Sequence, residues 1–90
     1  MPERAFRVTG RVQGVGFRWW TRLQARRLQV EGTVRNVSDG SVEVQARGGE
    51  AALDQLRRLL ASGPPGAQVD AVEPIPPGDI PASGTFDILK

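Results

Sequence analysis

The chain has 90 residues, is 39% hydrophobic and carries a formal charge of +2. It contains no histidine, cysteine or tyrosine. That excludes disulfides, thiolate chemistry and Ser–His or Cys–His nucleophile pairs, and it removes the usual zinc donors. An enzyme of this composition works with arginine, amide, hydroxyl, carboxylate, Lys90 and backbone N–H groups. The length points to one domain over residues 1–90. There is no apolar run of membrane-spanning length and no basic-then-apolar leader, so the expectation is a cytoplasmic protein that does not enter membranes. Dedicated nucleic-acid binders concentrate far more positive charge, so a nucleic-acid partner is not expected.

Residues 5–12, AFRVTGRV, alternate, with Phe6, Val8 and Val12 on one side and Arg7, Thr9 and Arg11 on the other. Period two with one apolar face predicts a half-buried strand. QGVGF at 13–17 reads as a turn. From Arg18 to Leu28 the period changes: Phe17, Thr21, Ala25 and Leu28 share one helical face, and Gly32 supplies the stop. TVRNV at 33–37 reads as a strand, and SDG at 38–40 carries the Asp-Gly hairpin signal. SVEVQA at 41–46 alternates again. Residues 50–61 predict a second helix whose apolar face is Ala52, Leu53, Leu56, Leu59 and Leu60. SGPPG at 62–66 stops it, because proline cannot continue a helix. AQVDAVE at 67–73 is a strand candidate. Residues 74–84, with four prolines and two glycines, read as a loop. TFDIL at 85–89 is a last strand. This βαββαβ order predicts an α+β, ferredoxin-like α/β sandwich: one antiparallel sheet with both helices on one face.

The turn at 13–18, QGVGFR, joins a strand to a helix. It is not the dinucleotide fingerprint, for Gly14-Val15-Gly16 has no third glycine three residues on, and no Gly-Lys-Ser/Thr follows as in a P-loop. Two readings stand at this point. The glycines can serve only as a tight connection with positive φ. Alternatively, free N–H groups at a helix start, with the positive end of the dipole behind them, form an anion site. Arg18 favours the second reading, because a guanidinium matches a phosphate's oxygens bidentately. Asn36, near the end of its strand, is either a turn asparagine or an amide that holds a water for attack on phosphorus. The expected fold brings its strand beside the first one, towards the glycine turn.

GRVQGVGFR at 10–18 and GTVRNVSDGSVEVQARG at 32–48 together resemble the two signatures of the common-type acylphosphatases. The resemblance spans almost the whole chain. It implies a small monomeric hydrolase that cleaves acyl phosphates to carboxylate and inorganic phosphate, with phosphate as product and inhibitor, and with neither metal nor organic cofactor. It also implies site roles. Arg18 corresponds to the phosphate-binding arginine and Asn36 to the water-positioning asparagine. The backbone of Gln13, Gly14, Val15, Gly16, Phe17 and Arg18 corresponds to the phosphate cradle. Three positions depart from the pattern. Thr33 replaces an aromatic, Gln29 stands where a glycine often ends the first helix, and Leu89-Lys90 replaces a terminal aromatic.

Of the two tryptophans, Trp19 and Trp20, one is expected in the core and one at the site rim. Arg22, Arg26 and Arg27 read as a solvated helix face. An RNA-recognition domain shares the element order but presents sheet-face aromatics. Here Phe6 and Phe86 are expected under the helices, and SVEVQA has no aromatic.

Overall fold

The structure is a computed structural model that describes residues 1–89; Lys90, and with it part of the Leu89-Lys90 departure, lies outside the described residues. The elements run in the expected order. They are β1 (Glu3–Arg11), α1 (Phe17–Arg27), β2 (Glu31–Asn36), β3 (Val42–Arg47), α2 (Glu50–Ser62), β4 (Gln68–Ile75) and β5 (Phe86–Ile88).

The five strands form one sheet in the order β4-β1-β3-β2-β5. The first four pair antiparallel, as expected, but β5 pairs parallel to β2, so the sheet is mixed rather than wholly antiparallel. The cause is connectivity. The long segment after β4 returns to the start of β2, where Phe86 meets Gly32, and runs in the same direction. A second correction concerns Asn36. β2 does not lie beside β1; β3 separates them. β1 and β2 are each antiparallel to β3, so they run the same way and end at the same edge of the sheet.

The core follows from alternation. Phe6 faces Val44, which faces Val34, and Val8 faces Val42, all within one buried layer under the helices. Phe17, Thr21 and Ala25 from α1 and Leu53, Leu56 and Leu60 from α2 complete it. Phe86 is fully buried there too, as expected of the last strand. Val12 lies beyond β1 yet is buried. It keeps the parity of Phe6 and Val8, and the register shift between Thr9 and Gly10 leaves the extra residue, Asp70, on β4.

Helix α1 ends earlier than Gly32. Gln29 adopts φ 58°, its N–H reaches the Arg26 carbonyl at 3.1 Å, and the Val30 N–H reaches the Ala25 carbonyl at 2.9 Å. That is the Schellman pattern, normally built on glycine. Gly32 instead lies inside β2, where a Cβ would collide with the Gln45 carbonyl oxygen.

Part of the sheet's other face is covered. The Gly78 N–H donates to Gln45 Oε1 at 2.9 Å, and Arg47 Nη2 donates to the Ile80 carbonyl at 3.1 Å. These anchors pull the proline-rich segment across the sheet and bury Ile80. Ala5, Thr33 and Gln45 are buried on this face while Arg7 and Arg35 stay exposed, and among the described residues no strand aromatic lies on it.

Candidate functional site

The parallel course of β1 and β2 determines where the predicted residues meet. The chain leaves β1 at Arg11, passes through residues 12–16 and enters α1 at the same edge at which β2 ends in Asn36. Helix α1 packs over β2 and β5. Asn36 has the same strand parity as the buried Val34, so its side chain is on the helix-facing side. It lies at the sheet end where α1 begins. The glycine turn, the first turn of α1 and Asn36 are therefore brought together at one end of the molecule, although β1 and β2 are not neighbours.

Gly14 has φ 77° and Gly16 φ 76°, the left-handed region that favours glycine. A Cβ built on either meets nothing within 4 Å. Backbone geometry, not crowding, thus requires glycine at both positions, and open space lies beside them. Gly16 caps α1 with no side-chain hydrogen bond, and its carbonyl accepts from the Trp20 N–H at 3.0 Å. Among the described residues, no hydrogen bond uses the N–H groups from Gly14 to Trp19. Unmet donors at a helix start are usual, but here they are continuous with a glycine turn, and no acidic residue sits in the first helical turn.

Arg18 is half-buried and has no ion pair or hydrogen bond among the described residues. Asn36, also half-buried, makes no side-chain hydrogen bond among them. The neighbouring arginines differ. Arg35 donates to Glu43 at 3.2 and 3.3 Å, and this holds the Glu43 carboxyl below its ordinary range. Arg47 is gripped by Glu3 at 2.7 Å and Glu31 at 3.0 Å at the opposite end of the sheet. There an open cavity of about 440 Å³ lies between Arg26, Gln29, Arg47 and Phe86.

The two tryptophans differ in burial. Trp20 packs on Phe17 with ring centroids 5.5 Å apart and is partly buried against the core. Trp19 is 65% exposed, one residue beyond Arg18, and the Arg22 guanidinium lies over its ring at 5.5 Å. Arg22 therefore rests on an indole rather than standing wholly in solvent.

The β2–β3 connection, residues 37–41, closes on a Val37–Ser41 bond, and within it Gly40, at φ 95°, donates to the Val37 carbonyl at 3.0 Å. Asp39 accepts from the Ser41 N–H at 2.9 Å and the Ser41 hydroxyl at 2.6 Å, which lowers the Asp39 pKa. Sequence reasoning missed one contact here. Gln13 counted only through its backbone, but its side-chain Nε2 donates to the Val37 carbonyl at 2.8 Å and to the Ser41 carbonyl at 2.9 Å. A polar residue beside a glycine turn was the available signal; its partners, more than twenty residues away, were not visible. Among the described residues, no three acidic side chains gather as a metal site would require.

A ferredoxin-like α/β sandwich with a glycine turn, an arginine and an asparagine gathered at one end defines the class. A profile of the Acylphosphatase family matches residues 4–88. An acylphosphatase of Nitratidesulfovibrio vulgaris is 48% identical over an alignment covering 98% of this chain and 90% of that one. One from Salinibacter ruber is 55% identical over 74% of this chain and 70% of its own. The crystal structure of acylphosphatase from Bacillus subtilis superposes with a TM-score of 0.92 at 32% identity, covering all of both chains. The chain belongs to the acylphosphatase family and is an enzyme, a hydrolase of that kind. No helix among the described residues is long and apolar enough to cross a membrane.

Proposed function

We propose that the chain hydrolyses acyl phosphates as a monomer by attack of water at phosphorus, with the phosphoryl group held by the N–H groups of residues 13–18 and by Arg18. The observation that carries this reading is the unbroken run of unpaired N–H donors from Gly14 into the first turn of α1, beside an arginine that no acidic side chain among the described residues neutralises. Such donors and the helix dipole favour an anion, and the guanidinium fork matches two phosphoryl oxygens.

In the reaction, an acyl phosphate and water give a carboxylate and inorganic phosphate. The water oxygen bonds to phosphorus and the bridging P–O bond breaks, its electron pair leaving with the carboxylate. A carboxylate leaves readily, so no strong acid is required. Charge on the equatorial phosphoryl oxygens is met by Arg18 and the cradle N–H groups. Asn36 holds the water in line, its carbonyl accepting one of the water's protons in a hydrogen bond. A phosphoryl oxygen of the substrate takes the proton that the water loses. Phosphoryl transfer relies mainly on positioning and electrostatics, which this residue set can supply without histidine.

The test is hydrolysis of a small acyl phosphate in ¹⁸O-labelled water. The expected result is label in the phosphate and none in the carboxylate. Label in the carboxylate means attack at the carbonyl carbon and ends the proposed roles of Arg18 and Asn36.

A further inference from the structure

We infer that the Gln13 side chain is a positioning residue that locks the glycine turn to the strand end carrying Asn36; this rests on the proposed division of labour between the two.

The geometry is specific. One nitrogen, Gln13 Nε2, spends both of its protons on backbone carbonyls 24 and 28 residues away, at 2.8 and 2.9 Å. Those carbonyls belong to Val37 and Ser41, the two residues that bracket the β2–β3 loop. Each also accepts a hairpin bond, Val37 from Gly40 at 3.0 Å and Ser41 from Val37 at 2.9 Å. Val37 directly follows Asn36. No backbone hydrogen bond among the described residues joins residues 12–16 to residues 36–41, because β3 separates β1 from β2. The Gln13 amide is thus the hydrogen-bonded link between the proposed cradle and the proposed water holder.

The chemistry explains the residue type. Only a side-chain amide offers two donors on one planar nitrogen at this length, whereas glutamate would turn an anionic oxygen toward two carbonyl oxygens. The functional consequence follows from in-line attack. The water on Asn36 must stand opposite the leaving oxygen of a group held by residues 13–18. Misplacement by about 1 Å can cost about 10²-fold. Asp39 braces the same loop through Ser41, so the tether pulls on a fixed point.

The test is a double-mutant cycle on turnover, with Gln13→Met, which keeps side-chain length and removes the donors, in the native and Asn36→Ala backgrounds. Each carbonyl keeps its hairpin bond, so the fold is expected to survive; Gln13→Asn, too short to reach, is the second variant. The expected result is a kcat loss of roughly tenfold or more in the native background and less than about twofold once Asn36 is gone, because coupled groups are non-additive. The phosphate inhibition constant is expected to move less than about threefold, since the cradle itself is intact. Equal losses in both backgrounds overturn the tether. A readout independent of turnover is the shift of the Asn36 side-chain amide resonances on titration with inorganic phosphate. It is expected in the native chain and weakened in Gln13→Met, and an unchanged response also overturns the tether. Absence of turnover by the native chain instead refutes the proposed reaction and leaves the resonance test standing.

Discussion

Replacing Asn36 by alanine separates holding the water from holding the phosphate. The side chain makes no hydrogen bond among the described residues, is half-buried, and sits where β2 ends, with its backbone paired to Val42. Truncation therefore breaks no side-chain hydrogen bond among the described residues. Asparagine and alanine are both poor strand formers, so the stability change is expected within about 0.5 kcal/mol. For a domain of this size, that moves Tm by no more than about 4 °C. The reaction should suffer far more. Loss of one preorganised polar partner in the transition state costs roughly 10²–10³ in kcat, or about 2.7–4 kcal/mol. In the proposed site the cradle and Arg18, not this side chain, hold phosphate, so its inhibition constant should stay within about threefold, roughly 0.7 kcal/mol. The assay is phosphate-inhibited turnover of a simple acyl phosphate, with thermal unfolding of the same samples. If phosphate affinity falls as steeply as kcat while Tm holds, Asn36 binds the phosphoryl group and the division of roles is wrong.

The remaining predictions concern stability. Gln29 occupies the left-handed conformation at the end of α1, a position that costs a non-glycine residue about 1 kcal/mol, so Gln29→Gly should raise Tm by roughly 4–8 °C without changing turnover; a lower Tm would mean that the Gln29 side chain contributes more than the backbone loses. Thr21 Oγ1 is fully buried with no hydrogen-bond partner among the described residues, and Thr21→Val should stabilise by about 1 kcal/mol in chemical denaturation. A loss of stability there would point to a partner for the hydroxyl. The Asp39 and Glu43 carboxyls are held below their ordinary values by Ser41 and Arg35 respectively. Their contribution is complete above the unfolded carboxylate range, near pH 4, and is lost as pH falls through the lower folded values. Tm should therefore decline on acidification below about pH 4, and Glu43→Gln should flatten part of that decline; an unaltered acid profile in the variant means that Glu43 has no share in it.

Much of this architecture was legible because the periods are clean. Phe6, Val8, Val42 and Val44 alternate, Phe17, Thr21 and Ala25 recur on a helical face, and Asp39-Gly40 marks the hairpin. The departures have physical causes that lie outside local pattern. Nothing in TFDIL states whether it adds to the sheet parallel or antiparallel; the return path of the preceding segment does. Gly32 looked like a helix stop, but its glycine is demanded by close approach of the Gln45 carbonyl, while Gln29 takes the turn at a conformational cost. The prolines of residues 74–84 announced a loop, but Pro74 and Ile75 still pair with β1 as the end of β4, and nothing in the pattern revealed that Gln45 and Arg47 draw the rest over the sheet. Of the proposed site, the glycine turn, Arg18 and Asn36 were proposed from motif and chemistry. The route by which they meet was not legible, because it depends on β1 and β2 ending at one edge with β3 between them, and on the reach of the Gln13 amide.

The proposed reaction stands or falls with Arg18. Release of carboxylate from an aryl acyl phosphate should be followed for the native chain and for Arg18→Ala, with a metal chelator present and unfolding measured alongside. The expected result is turnover by the native chain and a loss of at least about 10²-fold in the variant, with Tm nearly unchanged because Arg18 has no ion pair or hydrogen bond to lose among the described residues. A folded Arg18→Ala variant that works at a near-native rate, or a folded native chain with no turnover above background, contradicts that role.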